Sequence, residues 1–146
     1  PLIARWPGKT KPHSVCDDLV GLTDLLATVA AINEIQLDQD SPEDSINILP
    51  LLLGEKTTEP IRDDLIHHSG AGFFSIREGP WKCIFDTKEH GWFSSPPVPG
   101  SPGQLYNIKD DPTEQYDMWD ERPDIINRLA QLLSLHQECS ALHDKD

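Results

Sequence analysis

Apolar residues recur at helical spacing in two long stretches of the chain. In LVGLTDLLATVAAI (residues 19–32), five aliphatic residues fall on one helical face, and Thr23 is placed to cap the N-terminus. These five are Leu22, Leu25, Leu26, Val29 and Ile32. The second stretch begins at Pro123, a residue that helices favour at their first position. Its apolar stripe consists of Ile125, Ile126, Leu129, Leu132 and Leu133. Between the two, INILPLLLG predicts a short apolar helix or turn that ends at Gly54.

The pattern changes at Asp64 from helical to strand-like. DLIHHS, FFSIRE, WKCIFD and QLYN are short runs separated by turn residues, and the Pro/Gly-rich segment SSPPVPGSPG before the last run predicts an exposed loop. The opening run PLIARWPG predicts a further strand, closed by Pro7 and Gly8. We therefore predict an α+β fold in which the C-terminal helix covers one face of a small antiparallel sheet. Because the chain opens inside a strand pattern, we expect it to be the later part of a longer polypeptide.

The charge balance excludes some classes of partner. The chain has 25 Asp and Glu residues against 12 Lys and Arg, a net charge of -13, whereas nucleic-acid binding requires a basic surface. No run approaches the roughly 18 apolar residues of a membrane span, and no basic-then-apolar leader is present. Residues 61–90 are close to neutral and contain three of the six histidines. An anionic ligand would meet less repulsion there than elsewhere on the chain. The alternative is that the acidity of the rest of the chain serves only solubility.

The cysteines do not predict a metal site. Cys16, Cys83 and Cys139 are far apart and form no C-x-x-C pair, so a zinc site is not expected. Cys83 alternates with Trp81 and Phe85 along a predicted strand, which indicates a small core residue.

Two adjacent histidines, His67 and His68, are the candidate site residues. They stand at the predicted end of a strand, just before Gly70 and Gly72. Successive strand residues point to opposite faces, so the pair is poorly placed to chelate one metal. One alternative is structural, with one ring packed and the other exposed. The other is that one of the two rings projects toward a substrate.

No other residues indicate catalysis by themselves. The chain contains no G-x-S-x-G elbow, no P-loop and no Rossmann glycine motif. Ser69 directly follows His68, but neighbouring strand residues do not face each other, so the two are not a nucleophile and its base. At KDDP, Asp110 and Asp111 are expected to bond nearby backbone amides in a turn.

Five short motifs follow one another along the chain. They are R-W-P-G, L-T-D-L, L-P-L-L-L-G, R-x-G-x-W-K and L-Y-N-x-x-D-D-P-x-E. In this order the sequence resembles the C-terminal part of a type I sulfatase, most closely the bacterial arylsulfatase branch, from residue 1 to about residue 133. The resemblance implies an alkaline-phosphatase-like α/β sulfatase fold. Residues 1–58 would be the end of the large α/β domain, and residues 59–146 a C-terminal subdomain of short strands, the Pro/Gly-rich loop and the final helix.

The catalytic chemistry that the resemblance implies is not expected in this chain. Members of this family oxidise the cysteine of a C-x-P-S-R or C-x-A-x-R motif to formylglycine and bind a calcium ion through Asp and Asn side chains. Cys16 and Cys83 lie in no such motif, and Cys139 begins C-S-A-L-H, with His143 where arginine is required. We therefore assign no catalytic and no metal-binding residue. Calcium and formylglycine are expected in the missing N-terminal part, and the chain alone is expected to be inactive.

The resemblance gives the histidines a possible role. HHSG falls where the family's small subdomain reaches over the mouth of the active site, which implies that His68 or His67 contacts a sulfate-ester substrate. His68 is preferred because it is nearer the glycine turn. The resemblance also suggests a periplasmic or secreted protein. An alternative function is a non-catalytic binding or interaction module derived from a sulfatase, and loss of the strands beside PLIARW would allow self-association through an exposed edge.

Overall fold

Four short segments rich in β-branched and aromatic residues form one antiparallel sheet. The strands are β1 (Asp64–His68), β2 (Phe74–Glu78), β3 (Trp81–Phe85) and β4 (Gly103–Asn107), and their order in the sheet follows the chain. The computed structural model describes residues 2–38, 44–55, 58–70, 72–85 and 102–143, without the side chains of residues 139–143. All four predicted strands are confirmed, whereas most of the predicted Pro/Gly-rich loop lies outside the described residues.

The helix α3 (Pro123–His143) covers one face of this sheet. Each strand alternates its side chains between the two faces, and the register places Ile66, Ile76, Cys83 and Leu105 in one row across the sheet. This row packs against the helix residues Ile125, Leu129 and Leu133, with Ile126 and Leu132 at the margin of the same cluster. The predicted helix, its first residue and its apolar stripe are confirmed.

The free edge of β4 is covered by the segment that precedes α3. The Met118 amide donates to the Leu105 carbonyl at 2.8 Å, and the Leu105 amide donates to the Asp117 carboxylate at 3.0 Å. Trp119 then lies directly over Gly103, where a Cβ atom would stand only 2.0 Å from the indole ring. Only glycine fits at this position, because any side chain would collide with the ring.

The chain divides into two compact units, residues 1–63 and residues 64–146, and the first of these contains two helices, α1 (Asp24–Ile32) and α2 (Leu49–Leu53). Gly54 ends α2 in the left-handed conformation with φ of 76°, as predicted. Thr23 occupies the N-cap position of α1 but makes no capping hydrogen bond with its side chain. Instead, the Asp24 carboxylate accepts a hydrogen bond from the Gly21 amide at 2.7 Å.

The predicted strand at PLIARWPG is wrong for the described residues 2–8. These residues form no strand, and the Trp6 carbonyl accepts hydrogen bonds from the Lys9 and Thr10 amides at 3.0 and 2.9 Å, as in a turn. A strand needs a neighbour to satisfy its backbone groups, and the described part of residues 1–63 contains no other strand. The assignment of residues 1–58 to a large domain and residues 59–146 to a subdomain stays a prediction.

A buried ion pair holds α1 against the segment that follows it. Asp24 is fully buried, and its carboxylate accepts hydrogen bonds from Arg62 and from the Ile46 amide at 2.9 Å. Thr28, one turn further along α1, accepts a hydrogen bond from the Ile48 amide at 3.0 Å. Burial alone raises the pKa of Asp24, but the hydrogen bonds from Gly21, Ile46 and Arg62 outweigh it and hold that pKa below its usual value.

Candidate substrate-facing site

Both candidate histidines lie at the end of β1, which is an edge strand of the sheet. His67 is paired with Ser75 and His68 with Phe74, so the two side chains leave opposite faces. Both residues are exposed, which differs from the structural alternative of one packed and one exposed ring. The alternation along the strand places His68 on the face that α3 covers and His67 on the face opposite α3.

The His68 ring is oriented by the backbone and by an aromatic neighbour. Its Nδ1 atom lies 3.0 Å from the Ser69 carbonyl oxygen, and its centroid lies 6.1 Å from that of the Phe74 ring. A carbonyl oxygen only accepts hydrogen bonds, so this contact requires a proton on Nδ1. The neutral ring then presents Nε2 as an acceptor, and the protonated ring presents it as a donor.

The sheet face opposite α3 carries two cationic side chains that are directly paired with each other. Arg77 on β2 is paired with Lys82 on β3, and these are the Arg and Lys of the R-x-G-x-W-K motif. Lys82 forms an ion pair with Glu114 at 2.7 Å. Among the described residues Arg77 has no ion pair, and its Nε atom is buried without a hydrogen-bond partner. Like charges directly opposite on a sheet repel each other, so this arrangement favours an acceptor or an anion at Arg77.

This cationic pair is a feature that the sequence reasoning missed. Gly79 and Pro80 form the two-residue connection of a hairpin, with Gly79 at a φ of 53°, and such a connection places residues 77 and 82 opposite each other. The spacing of R-x-G-x-W-K therefore carries the signal for this pair.

None of the cysteine side chains that the structure describes resembles an activated nucleophile. Cys83 is fully buried in the core, as predicted, and burial, with Asp117 nearby, raises the pKa of its thiol to about 12. Cys16 is exposed, with its sulfur 3.1 Å from an Asp18 carboxylate oxygen, and partial burial together with Asp18 raises its pKa as well. The side chain of Cys139 lies outside the described residues.

The carboxylates of the KDDP segment both bond within the turn, Asp111 to a backbone amide as predicted and Asp110 to a side chain instead. The Asp111 carboxylate accepts a hydrogen bond from the Tyr116 amide at 2.8 Å, and this bond lowers the pKa of Asp111. Asp110 accepts a hydrogen bond from the Asn107 side chain at 2.7 Å.

Within the described ranges, no group of three His, Cys, Asp or Glu residues is arranged to hold a metal ion, so these residues do not fit the calcium that the resemblance implies. No helix in the described part of the chain is long and apolar enough to cross a membrane.

Comparisons with known proteins decide the family. N-acetylgalactosamine-6-O-sulfatase of Bacteroides thetaiotaomicron is 29% identical over 136 residues, which cover 91% of this chain. Arylsulfatase A of Bos taurus is 30% identical over an alignment of 162 residues, which covers 97% of this chain. The chain corresponds to the C-terminal part of a sulfatase. It spans only 26% and 31% of the length of these two curated relatives. No protein-family model matches the chain.

Solved structures agree on the sulfatase fold. A structure from a study of glycosaminoglycan metabolism by Bacteroides thetaiotaomicron superimposes with a TM-score of 0.63 and 24% identity, over 79% of this chain and 24% of that one. Another, solved in complex with its substrate D-glucosamine-2-N,6-O-disulfate, has a TM-score of 0.54 and 16% identity, over 79% and 23% of the two chains. At these identities the likeness concerns the fold alone, and it fits the sheet and C-terminal helix of a partial α/β sulfatase.

Proposed function

We propose that this chain is the C-terminal portion of a sulfuric ester hydrolase, where it encloses a sulfate-ester substrate and does not cleave the bond itself. The observation that carries the proposal is the match to named sulfatases along 91% and 97% of the chain. Formylglycine and calcium would come from outside this chain. The residues of this chain would contact the substrate only. A periplasmic or secreted location stays a prediction.

In this proposal, His68 is the residue that contacts the substrate. Its exposure makes it accessible, and the Ser69 carbonyl restrains its ring, so little side-chain entropy is lost when a ligand binds. The neutral ring would accept a hydrogen bond from a hydroxyl of the alcohol that leaves, while the protonated ring would donate to a sulfate oxygen. Phe74 supplies an apolar surface beside the ring, 6.1 Å away between centroids.

The opposite face of the sheet offers the competing arrangement. His67 lies on the same face as Arg77, one of two directly opposed cations, and an anion would be attracted there electrostatically. The two histidines therefore make a matched pair of variants, because they share a strand and an exposed position but leave opposite faces.

The test is steady-state kinetics on His68→Ala and His67→Ala in the full-length enzyme, with thermal melts of both. A lost hydrogen bond to the substrate predicts that His68→Ala lowers kcat/KM by about tenfold or more. We expect His67→Ala to change kcat/KM by less than about threefold, and neither variant to unfold the protein, since both side chains are exposed. A larger loss for His67→Ala, shared by Arg77→Gln, would assign the substrate to the sheet face opposite α3. Unchanged kinetics for all three variants would overturn a substrate-facing role.

A second measurement separates the enzyme from the non-catalytic module. The purified chain alone should show no turnover of an aryl sulfate in the presence of calcium. Turnover that disappears in Cys139→Ala would contradict the assignment of catalysis to another segment. Tight binding of a sulfated sugar by the chain alone, measured by calorimetry, would instead support the module.

A further inference from the structure

The turn between β1 and β2 departs from an ordinary strand pairing at Ser69. The register pairs His68 with Phe74, so Ser69 and Phe73 form the next pair across the two strands. A hydrogen-bonded pair of an antiparallel sheet exchanges two bonds, one from each amide to the opposite carbonyl. The Ser69 amide does donate to the Phe73 carbonyl at 2.8 Å, but the Phe73 amide donates to the Ser69 hydroxyl oxygen at 3.2 Å. The side chain of Ser69 thus takes the place of its own backbone carbonyl.

This exchange leaves the Ser69 carbonyl for other donors. It accepts a hydrogen bond from the Gly72 amide at 2.9 Å, and it lies 3.0 Å from Nδ1 of His68. Gly72 has a φ of 84°, a left-handed conformation that glycine adopts more readily than any other residue. The Ser69 hydroxyl and the left-handed Gly72 therefore fix the carbonyl that orients the His68 ring.

We propose that Ser69 is a positioning residue, whose hydroxyl holds the turn so that its carbonyl keeps the proton of neutral His68 on Nδ1. Nε2, on the other side of the ring, is then a hydrogen-bond acceptor. An acceptor recognises a hydroxyl or amide donor, whereas the oxygens of an ionised sulfate only accept. The neutral ring therefore selects the alcohol portion of the ester and not its sulfate group. This selection rests on the proposed function of His68, but the tautomer itself does not.

The first experiment measures the tautomer of His68 in the purified chain. Two-bond ¹H–¹⁵N NMR spectra at alkaline pH, where an imidazole is neutral, distinguish a proton on Nδ1 from one on Nε2, and His68→Ala assigns the signal. In Ser69→Ala the backbone carbonyl is free to pair with the Phe73 amide, so the ratio of the Nδ1–H to the Nε2–H form should fall about three- to tenfold, the effect of one hydrogen bond. An unchanged ratio would overturn the proposal.

Two further serine variants show whether the hydroxyl of Ser69 is the group responsible. Ser69→Thr keeps a hydroxyl at the same position and should preserve the ratio. Ser75→Ala removes a hydroxyl from β2 at the position paired with His67, on the face opposite His68, and should also leave the ratio unchanged. A fall in Ser75→Ala as large as in Ser69→Ala would contradict a specific role for Ser69.

The glycines of the turn provide an independent pair of variants. Gly72→Ala strains the left-handed conformation and should lower the same ratio, because the Gly72 amide helps to hold the Ser69 carbonyl. Gly70→Ala is the matched control, since Gly70 does not have a positive φ and a Cβ atom at either glycine meets nothing within 4 Å. A fall in Gly72→Ala without one in Ser69→Ala would assign the carbonyl position to the backbone and overturn the role of the hydroxyl.

Kinetics of the full-length enzyme separate this proposal from the function of His68. Ser69→Ala should lower kcat/KM by about threefold, and it should have no effect in a protein that already carries His68→Ala, because Ser69 acts through that ring. A loss of the same size in both backgrounds would overturn the positioning role. A changed tautomer with unchanged kinetics would support the positioning by Ser69 and overturn the substrate-facing role of His68.

Discussion

The two units of this chain differ in how much of what they bury is polar. Residues 64–146 have an apolar core in which Ile76, Cys83, Leu105 and Leu129 are all fully buried. In residues 1–63, the polar residues Asp24 and Thr28 are buried as well as Ala30 and Ile48, and the leucines of α1 are exposed. The second unit is therefore organised by removal of apolar surface from water, whereas the first is organised around a buried ion pair and its hydrogen bonds.

The two units also differ in whether their apolar faces are covered within the unit. The sheet and α3 satisfy each other, because the apolar row of the sheet meets the apolar stripe of the helix. The apolar face of α1 meets no such surface in the described part of residues 1–63. A hydrophobic pattern in the sequence thus had two outcomes, burial within the unit for α3 and exposure for α1.

The sharpest test of the first unit is removal of its buried charge. Asp24→Ala leaves Arg62, whose side chain is only 11% exposed, without its carboxylate. Breaking a buried pair in this way costs about 3–5 kcal/mol, and we expect hydrogen exchange to rise throughout α1 while α3 stays protected. Asp124→Ala, which breaks the exposed pair with Arg122, is the control and should leave exchange in α1 unaffected. Equal protection of α1 in both variants would show that the ion pair does not organise this unit.

The same carboxylate predicts a dependence on acid. Its folded-state pKa is lowered, so its contribution to stability is present above the unfolded pKa and is lost as the pH falls through the folded one. Protection of α1 should therefore decline at acid pH in the unsubstituted chain, and the decline should be much smaller in Asp24→Asn. A decline of the same size in both proteins would assign the acid sensitivity to other groups.

For the second unit, the corresponding test is a cavity in the apolar core. Leu129→Ala removes a fully buried side chain that packs between α3 and the sheet, which costs about 2–5 kcal/mol. Leu135→Ala lies on the same helix at a position that is 59% exposed, and it should cost less than about 0.5 kcal/mol. Urea denaturation followed by the tryptophan signal measures both. Similar losses at the two positions would contradict the separation of the helix into a buried and an exposed face.

A smaller effect is expected where β4 meets Trp119. Gly103→Ala would place a methyl group 2.0 Å from the indole and 2.6 Å from the Ile84 carbonyl oxygen, and the strain should cost about 1–3 kcal/mol. Gly70→Ala is the matched control, because a Cβ atom there meets nothing within 4 Å. Thermal melts of the two variants give the comparison. A stable Gly103→Ala variant would show that Trp119 can leave the strand without loss.

The sequence alone determined the second unit well. Alternating runs from Asp64 predicted four strands, Pro123 marked the start of α3, and its stripe predicted the face that packs on the sheet. These patterns were sufficient because each strand lies beside its neighbour in sequence, so local periodicity and turn residues define the pairing. The motif order also predicted the sulfatase relationship, which the comparisons confirm.

Tertiary structure decided what local patterns could not. Asp24 lies within a run of apolar residues, and its burial against Arg62, 38 residues later, depends on a contact that no local period reveals. Likewise, PLIARW has the composition of a strand but forms none in the described residues, because strand formation requires a partner for its backbone groups. Of the five residues predicted for the apolar face, Leu22 precedes α1, and only the structure showed that the other four are exposed. Periodicity specifies which residues share a face, whereas long-range hydrogen bonds and available surfaces decide where that face is turned.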